Sequence, residues 1–131
     1  MKLVFADTYY FLARLNAYDP HRARVLAYAG RVQARLLTTE WVLLELADAL
    51  AATRFRTQLN GYLQHLTALA VVIRPDRELW EEALKFYHQH DDKAWSLTDC
   101  LSFVVMRRNG VTTALTGDHH LKQAGFDAVF L

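Results

Sequence analysis

The sequence predicts an α/β fold: one central, mostly parallel sheet flanked by helices, with a helical hairpin. Three observations support this prediction. Short apolar runs with β-branched residues recur along the chain, segments with apolar residues at helical spacing separate them, and the chain has only 131 residues. Strands that alternate with helices form parallel sheets covered on both faces. We expect residues 1–131 to form a single domain, because a chain of this length builds one core.

The amino-terminal half supplies two of the strands and four helices. Asp19 and Pro20 predict the N-cap and first position of the second helix, which runs to about Gly30. Thr39 is predicted to cap a strongly apolar helix, and a periodic segment then completes the hairpin. The predicted elements are a strand over 3–6, helices over 9–16 and 20–30, a strand over 35–38, and helices over 41–52 and 55–66.

The carboxyl-terminal half continues the alternation of strands and helices. A β-branched run stops at Arg74-Pro75, and a polar connector over 88–93 separates the next two helices. Gly110 is predicted to end the second of these helices. The predicted elements are a strand over 70–73, helices over 79–87 and 96–106, a strand over 112–115, a short helix over 120–124 and a last strand over 128–130.

Composition excludes several classes of function. The chain has 15 basic and 14 acidic residues, so any binding of nucleic acid must be local. The single Cys100 excludes an internal disulfide and a Cys-rich zinc site. The amino terminus lacks the pattern of a secretory signal, and charged residues interrupt every apolar stretch before about 18 residues. We therefore expect a cytoplasmic protein without a membrane-spanning segment.

Four acidic residues occupy positions that suggest a shared site. Asp7 and Asp118 each follow a predicted strand, and parallel strands bring their carboxyl ends to one edge of a sheet, where ligands bind. Glu45 lies in a strongly apolar helical segment, where a charge is costly unless it faces a cleft or a cation. Asp99 lies in the first turn of a helix whose amino end could face the same edge.

Each of these carboxylates also has a purely structural interpretation. Asp7 and Asp118 could cap the helices that follow them, and Asp99 could form a capping box with Ser96. Glu45 could be exposed to solvent or paired with an arginine. Capping and metal binding are compatible at one carboxylate, so these interpretations do not exclude a shared site.

Four clustered carboxylates would repel one another strongly unless a divalent cation neutralised them. Ligands that are all oxygen atoms favour Mg²⁺ or Mn²⁺ over zinc. Phosphodiester hydrolysis suits such a site, because metal ions activate water and stabilise the charge that develops at phosphorus. No side-chain nucleophile is then required.

The ordered set Asp7, Glu45, Asp99 and Asp118 resembles the metal site of PIN domains, and of VapC-like toxins in particular. The resemblance spans nearly the whole chain. Its motifs are Val4-Phe5-Ala6-Asp7-Thr8, Thr38-Thr39-Glu40-Trp41-Val42-Leu43-Leu44-Glu45, Ser96-Leu97-Thr98-Asp99-Cys100 and Leu115-Thr116-Gly117-Asp118.

The resemblance implies a Mg²⁺- or Mn²⁺-dependent endoribonuclease that is inhibited by a small VapB-like antitoxin and forms a homodimer. Asp7, Glu45 and Asp99 would organise the metal, and Asp118 would complete the site directly or through water. Thr116 resembles the recurrent hydroxyl of the family near that last aspartate. The hairpin with Phe55, Leu59 and Tyr62 could expose an apolar surface for the dimer or the antitoxin.

Several further residues are weaker candidates. Basic side chains could contact RNA phosphates, although surface charge without a role is the simpler interpretation for each. His119 stands out because it adjoins Asp118, and Cys100 is expected to be packed in the core. The basic candidates are Arg14, Arg54, Arg56, Lys93, His119, His120 and Lys122.

Three other functions remain open at the level of sequence. A DNA-directed nuclease would use the same chemistry, because the contacts that recognise the RNA 2′-hydroxyl are not visible in a sequence. A non-catalytic PIN-like binding module would use the carboxylates only as caps or partner contacts. A phosphoacceptor signalling domain has a comparable fold, but it lacks support here because no lysine follows the last strand.

Overall fold

The computed structural model describes all residues, 1–131, and contains five strands and seven α-helices. The strands are β1 (Lys2–Ala6), β2 (Ala34–Thr39), β3 (Val71–Ile73), β4 (Thr113–Leu115) and β5 (Asp127–Ala128). The helices are α1 (Thr8–Leu15), α2 (Arg22–Arg31), α3 (Glu40–Leu50), α4 (Leu59–Leu69), α5 (Arg77–Gln89), α6 (Leu97–Arg108) and α7 (His119–Gln123), with a 3₁₀ helix at Arg54–Gln58. The predicted α/β fold is confirmed.

The five strands form one parallel sheet in the order β3-β2-β1-β4-β5. β1 is central, and its Val4, Phe5 and Ala6 are buried because helices cover the sheet. All carboxyl ends of the strands lie at one edge. The segments that follow β1, β2 and β4 therefore start side by side, and two of the predicted acidic residues, Asp7 and Asp118, lie there.

Helix α6 is the most deeply buried helix of the fold. Every residue from Cys100 to Met106 is buried, including the Cys100 thiol that the sequence assigned to the core. Such a helix is apolar on all sides because it packs against neighbours all round. Gly110 ends it at φ 63° in a Schellman motif, in which the Val111 N–H donates to the Met106 carbonyl. Asp99 is thus anchored on a rigid core element.

Most boundaries lie within one or two residues of the sequence predictions, and three elements need comment. Asp19 and Pro20 do not begin α2: the Asp19 carboxylate accepts the His21 N–H in a turn, and the helix starts at Arg22. The predicted helix over 55–66 begins instead with the 3₁₀ segment, because Thr53 caps it through the Phe55 N–H. The last strand lies at Asp127–Ala128 rather than at 128–130.

The buried side chains form one hydrophobic cluster that draws on every layer of the fold. Phe55, which we expected on an exposed apolar surface, belongs to this cluster and packs edge-on against Tyr18. None of the helices combines the length and the apolar character that a bilayer crossing requires.

Candidate active site

Strand pairing brings Asp7 and Asp118 together. Ala6 pairs with Leu115, so the next residue on each strand, Asp7 and Thr116, lies at the same level. The Thr116 hydroxyl accepts the Asp118 N–H at 3.0 Å and lies close enough to the Asp7 carboxyl to lower its pKa. Thr116 is fully buried, so water does not compete for the bond to Asp118. The hydroxyl of Thr116 therefore fixes the start of the Asp118 loop beside Asp7.

All four predicted carboxylates line one open cleft of about 610 Å³ at the carboxyl edge of the sheet. α3 contributes Glu45, the first turn of α6 contributes Asp99, and the loops after β1 and β4 contribute the other two. Asp48, one helical turn after Glu45, is a fifth carboxylate in the same wall. No lysine or arginine lines the cleft.

Three of the four carboxylates also cap helices, as the structural interpretation expected. Each uses one oxygen for a backbone N–H: Asp7 Oδ1 accepts from Tyr9 at 3.0 Å, Asp99 Oδ2 from Ser96 at 3.1 Å, and Asp118 Oδ1 from His120 at 2.9 Å. A carboxylate has about four lone-pair sites, so these bonds leave most of each group free. The caps hold the carboxylates in place without consuming them.

Glu45 has a different restraint. No arginine pairs with it; instead its Oε1 accepts a hydrogen bond of 2.9 Å from the Thr8 hydroxyl on α1. The pKa of Glu45 is raised, first by partial loss of solvent and then by the charges of Asp99 and Asp48. Glu45 is exposed, as one structural interpretation expected, and it also lines the cleft as part of a crowded anionic wall.

Asp7 has the most perturbed carboxyl of the cleft. Burial raises its pKa to about 7, and the Asp118 and Asp99 charges act in the same direction against the hydrogen bonds from Thr116 and Tyr9. Burial is thus the main cause of the elevation, and the neighbouring carboxylates add to it. The donor set, rich in carboxylate oxygens and without lysine or arginine, fits a divalent cation.

Some site residues were not singled out from the sequence. Asp48 could have been found by its i, i+3 spacing from Glu45. Thr8 and its bond to Glu45 depend on the packing of α1 against α3, which no local pattern reveals. The sequence favoured His119, but the structure places His120 in the cleft and leaves His119 outside it.

The basic candidates lie mostly away from the cleft. Arg14 lines a separate groove, Arg54 stacks on Tyr18, and Lys93 pairs with Asp92. Of these basic residues, only His120 contacts the carboxylate of Asp99.

The PIN domain family model matches residues 4–127, so the chain belongs to the PIN domain family. It is 29% identical to the 23S rRNA-specific endonuclease VapC20 of Mycobacterium tuberculosis, with 95% of each chain covered. The crystal structure of that VapC20, a toxin that cleaves the sarcin–ricin loop, superposes with a TM-score of 0.85 at 26% identity over 98% of both chains.

Two further solved structures share the fold at lower identity. FitAcB from Neisseria gonorrhoeae gives a TM-score of 0.68 at 17% identity, covering 98% of this chain and 96% of the other. VapBC2 from Rickettsia felis, bound to a fragment of promoter DNA, gives 0.66 at 12% identity over 96% of both chains. The family resemblance found in the sequence is confirmed.

Proposed function

We propose that this chain is a Mg²⁺- or Mn²⁺-dependent endoribonuclease and the toxin of a VapBC-type pair. The observation that carries the proposal is the convergence of Asp7, Glu45, Asp99 and Asp118 on one cleft in a PIN domain. These four residues would hold the metal, which supplies an activated water and neutralises charge at the scissile phosphate. The similarity to VapC20 makes ribosomal RNA the first substrate to test.

The protein contributes a prepared arrangement of oxygen atoms. Thr8 orients Glu45, and the capping bonds orient the carboxylates of Asp7, Asp99 and Asp118. Groups fixed before substrate binds cost little reorganisation during the reaction. Without a cation the cleft repels phosphate, because five carboxylates line it. Productive binding of an RNA phosphate at this wall would therefore require a cation held by these carboxylates.

The substrate class is tested by competition. Purified antitoxin-free protein and its Asp7→Asn variant are incubated with 23S rRNA, a mixed structured RNA and DNA of matched sequence, with Mn²⁺ or Mg²⁺. We expect discrete cleavage of RNA by the wild type and none by the variant. Preferential cleavage of DNA would instead establish a DNA-directed nuclease, and metal binding without cleavage of any of these substrates would favour a binding module.

An antitoxin partner has a suitable docking surface on the other side of α1. A groove of about 570 Å³ is lined mostly by apolar side chains from α1, α2 and α4, including Tyr10, Tyr62 and Leu66. Its charged residues are Arg14 and Arg35, with no acidic residue. The groove fits an apolar peptide segment that carries acidic side chains. Leu69→Asp, at an exposed position in the groove, should abolish co-purification of the antitoxin while RNA cleavage persists.

A homodimer would use a second apolar surface, formed by α3 and α5. Trp41 and Trp80 join these helices with ring centroids 4.9 Å apart, and the same two helices expose Leu44 and Tyr87. Light scattering should give a dimer for the wild type and a monomer for Leu44→Asp. A wild-type monomer would refute the dimer without affecting the catalytic proposal.

Action on ribosomal RNA would place the protein in the cytoplasm.

A further inference from the structure

We propose that His120 is a nitrogen ligand of the metal in this cleft and that the site therefore selects Mn²⁺ over Mg²⁺. This inference rests on the proposed function, because it concerns the same metal. It adds an imidazole to a ligand set for which we predicted oxygen donors alone.

The position of the His120 ring supports this role. Its Nδ1 lies 3.1 Å from Asp99 Oδ2 and 3.5 Å from Asp118 Oδ1. A cation with ligand bonds of about 2.1 Å in octahedral geometry holds neighbouring ligand atoms roughly 3 Å apart. The two distances from the nitrogen, one of them a hydrogen bond to Asp99, are close to the edges of such a polyhedron, and a cation would take the place of the Nδ1 proton. A cation could bind with shifts of a few tenths of an ångström at the longer edge.

The neighbouring His119 fits this role less well. Donor atoms of Asp118, His119 and His120 lie within 4.8 Å of one another, so both rings are near the aspartate. However, His119 Nδ1 lies 3.7 Å from Asp118 Oδ1, and its side chain is 65% exposed, against 21% for His120. His120 also contacts Asp99, on a different element. Only this ring bridges two of the proposed metal ligands.

The metal preference follows from the donor atoms. Mg²⁺ binds oxygen almost exclusively and keeps several of its waters, whereas imidazole nitrogen is a good donor to transition metals. A nitrogen ligand therefore contributes more to the binding of Mn²⁺ than to that of Mg²⁺. Removing the imidazole should reduce the affinity for Mn²⁺ on the order of 10-fold and the affinity for Mg²⁺ much less.

The test uses the full chain loaded with Mn²⁺ alone, with electron spin echo spectroscopy to detect ¹⁴N coupled to the metal. We expect imidazole ¹⁴N modulation in the wild type and in the matched control His119→Ala, and its loss in His120→Ala. Competition titrations should show that His120→Ala lowers the preference for Mn²⁺ over Mg²⁺. Circular dichroism checks that each variant is folded.

Three results would overturn the inference. Bound Mn²⁺ without ¹⁴N coupling in the wild type would mean that His120 only contacts the carboxylates, while RNA cleavage by the same sample would leave the proposed function intact. Loss of the coupling in His119→Ala alone would assign the ligand to the other histidine. Failure of the wild type to bind Mn²⁺ at all would refute both proposals.

Discussion

At the scale of single residues, Asp7 shows a conflict between the stability of the fold and the proposed function. The folded protein binds its proton more tightly than the unfolded chain does, since the pKa rises from 3.8 to about 7. Between roughly pH 4 and pH 7 the unfolded chain has lost this proton while the folded chain retains it. The contribution of Asp7 to the free energy of unfolding therefore falls as pH rises through this window.

Asp7→Asn should remove this loss in the free energy of unfolding and keep the helix cap, because asparagine caps helices as well as aspartate does. In metal-free buffer at pH 8 we expect the variant to be more stable than the wild type, by on the order of 1–3 kcal/mol after allowance for solvent screening. The difference should shrink towards pH 4. Urea unfolding across this pH range measures it, with Asp91→Asn on the exposed connector as the control. A variant no more stable than the wild type at pH 8 would contradict this interpretation.

The hydroxyl of Thr116 should matter to both stability and activity. Thr116→Val keeps the shape of the buried side chain but leaves the Asp118 N–H without its partner and removes a hydroxyl that lowers the pKa of Asp7. We expect a loss of about 1–3 kcal/mol in the free energy of unfolding and a reduced rate of RNA cleavage. Thr116→Ser, which keeps the hydroxyl, should retain most of both. Equal effects of the two substitutions would mean that the methyl group, not the hydroxyl, is important.

At the scale of single elements, the chain's local signals were largely sufficient. Thr39 caps α3, Ser96 and Asp99 form the capping box of α6, and Gly110 ends that helix, all as predicted. These signals are readable because each depends on residues a few positions apart. The predicted start of α2 was wrong. Asp19 and Pro20 form a turn just before the helix, and a turn and a helix N-terminus favour the same residue types.

Gly117 is required where the loop after β4 approaches α1. A Cβ atom at this position would lie 2.8 Å from the Tyr9 ring, which cannot easily move because His21 and Phe130 pack against it. We expect Gly117→Ala to cost about 1–3 kcal/mol of stability and to lower activity by displacing Asp118.

The matched control for Gly117→Ala is Gly61→Ala in α4. No atom lies within 4 Å of a Cβ at that position, and alanine favours helix. Gly61→Ala should therefore raise the free energy of unfolding by roughly 0.5–1 kcal/mol. Thermal melts of both variants measure the contrast. If Gly117→Ala left the free energy of unfolding unchanged, the Tyr9 ring would be able to move aside without loss of stability.

At the scale of the whole molecule, the parallel sheet explains why four distant residues share a cleft. The sequence predicted this convergence, because the carboxyl ends of parallel strands lie at one edge. It could not predict the bond from Thr8 to Glu45 or the position of His120 between two aspartates. Those contacts depend on how α1, α3, α6 and α7 pack around the edge, which is a property of the assembled fold.

The measurement that tests the central claim most directly is the dependence of RNA cleavage on metal within one sample. Wild-type protein is stripped with EDTA, assayed on 23S rRNA, and assayed again after Mn²⁺ is returned in excess. We predict no cleavage by the stripped protein, cleavage at discrete sites once the metal is restored, and no cleavage by Asp7→Asn in either condition. Cleavage that persists in EDTA, or in the Asp7→Asn variant with the same products, would contradict a metal centre built on these carboxylates.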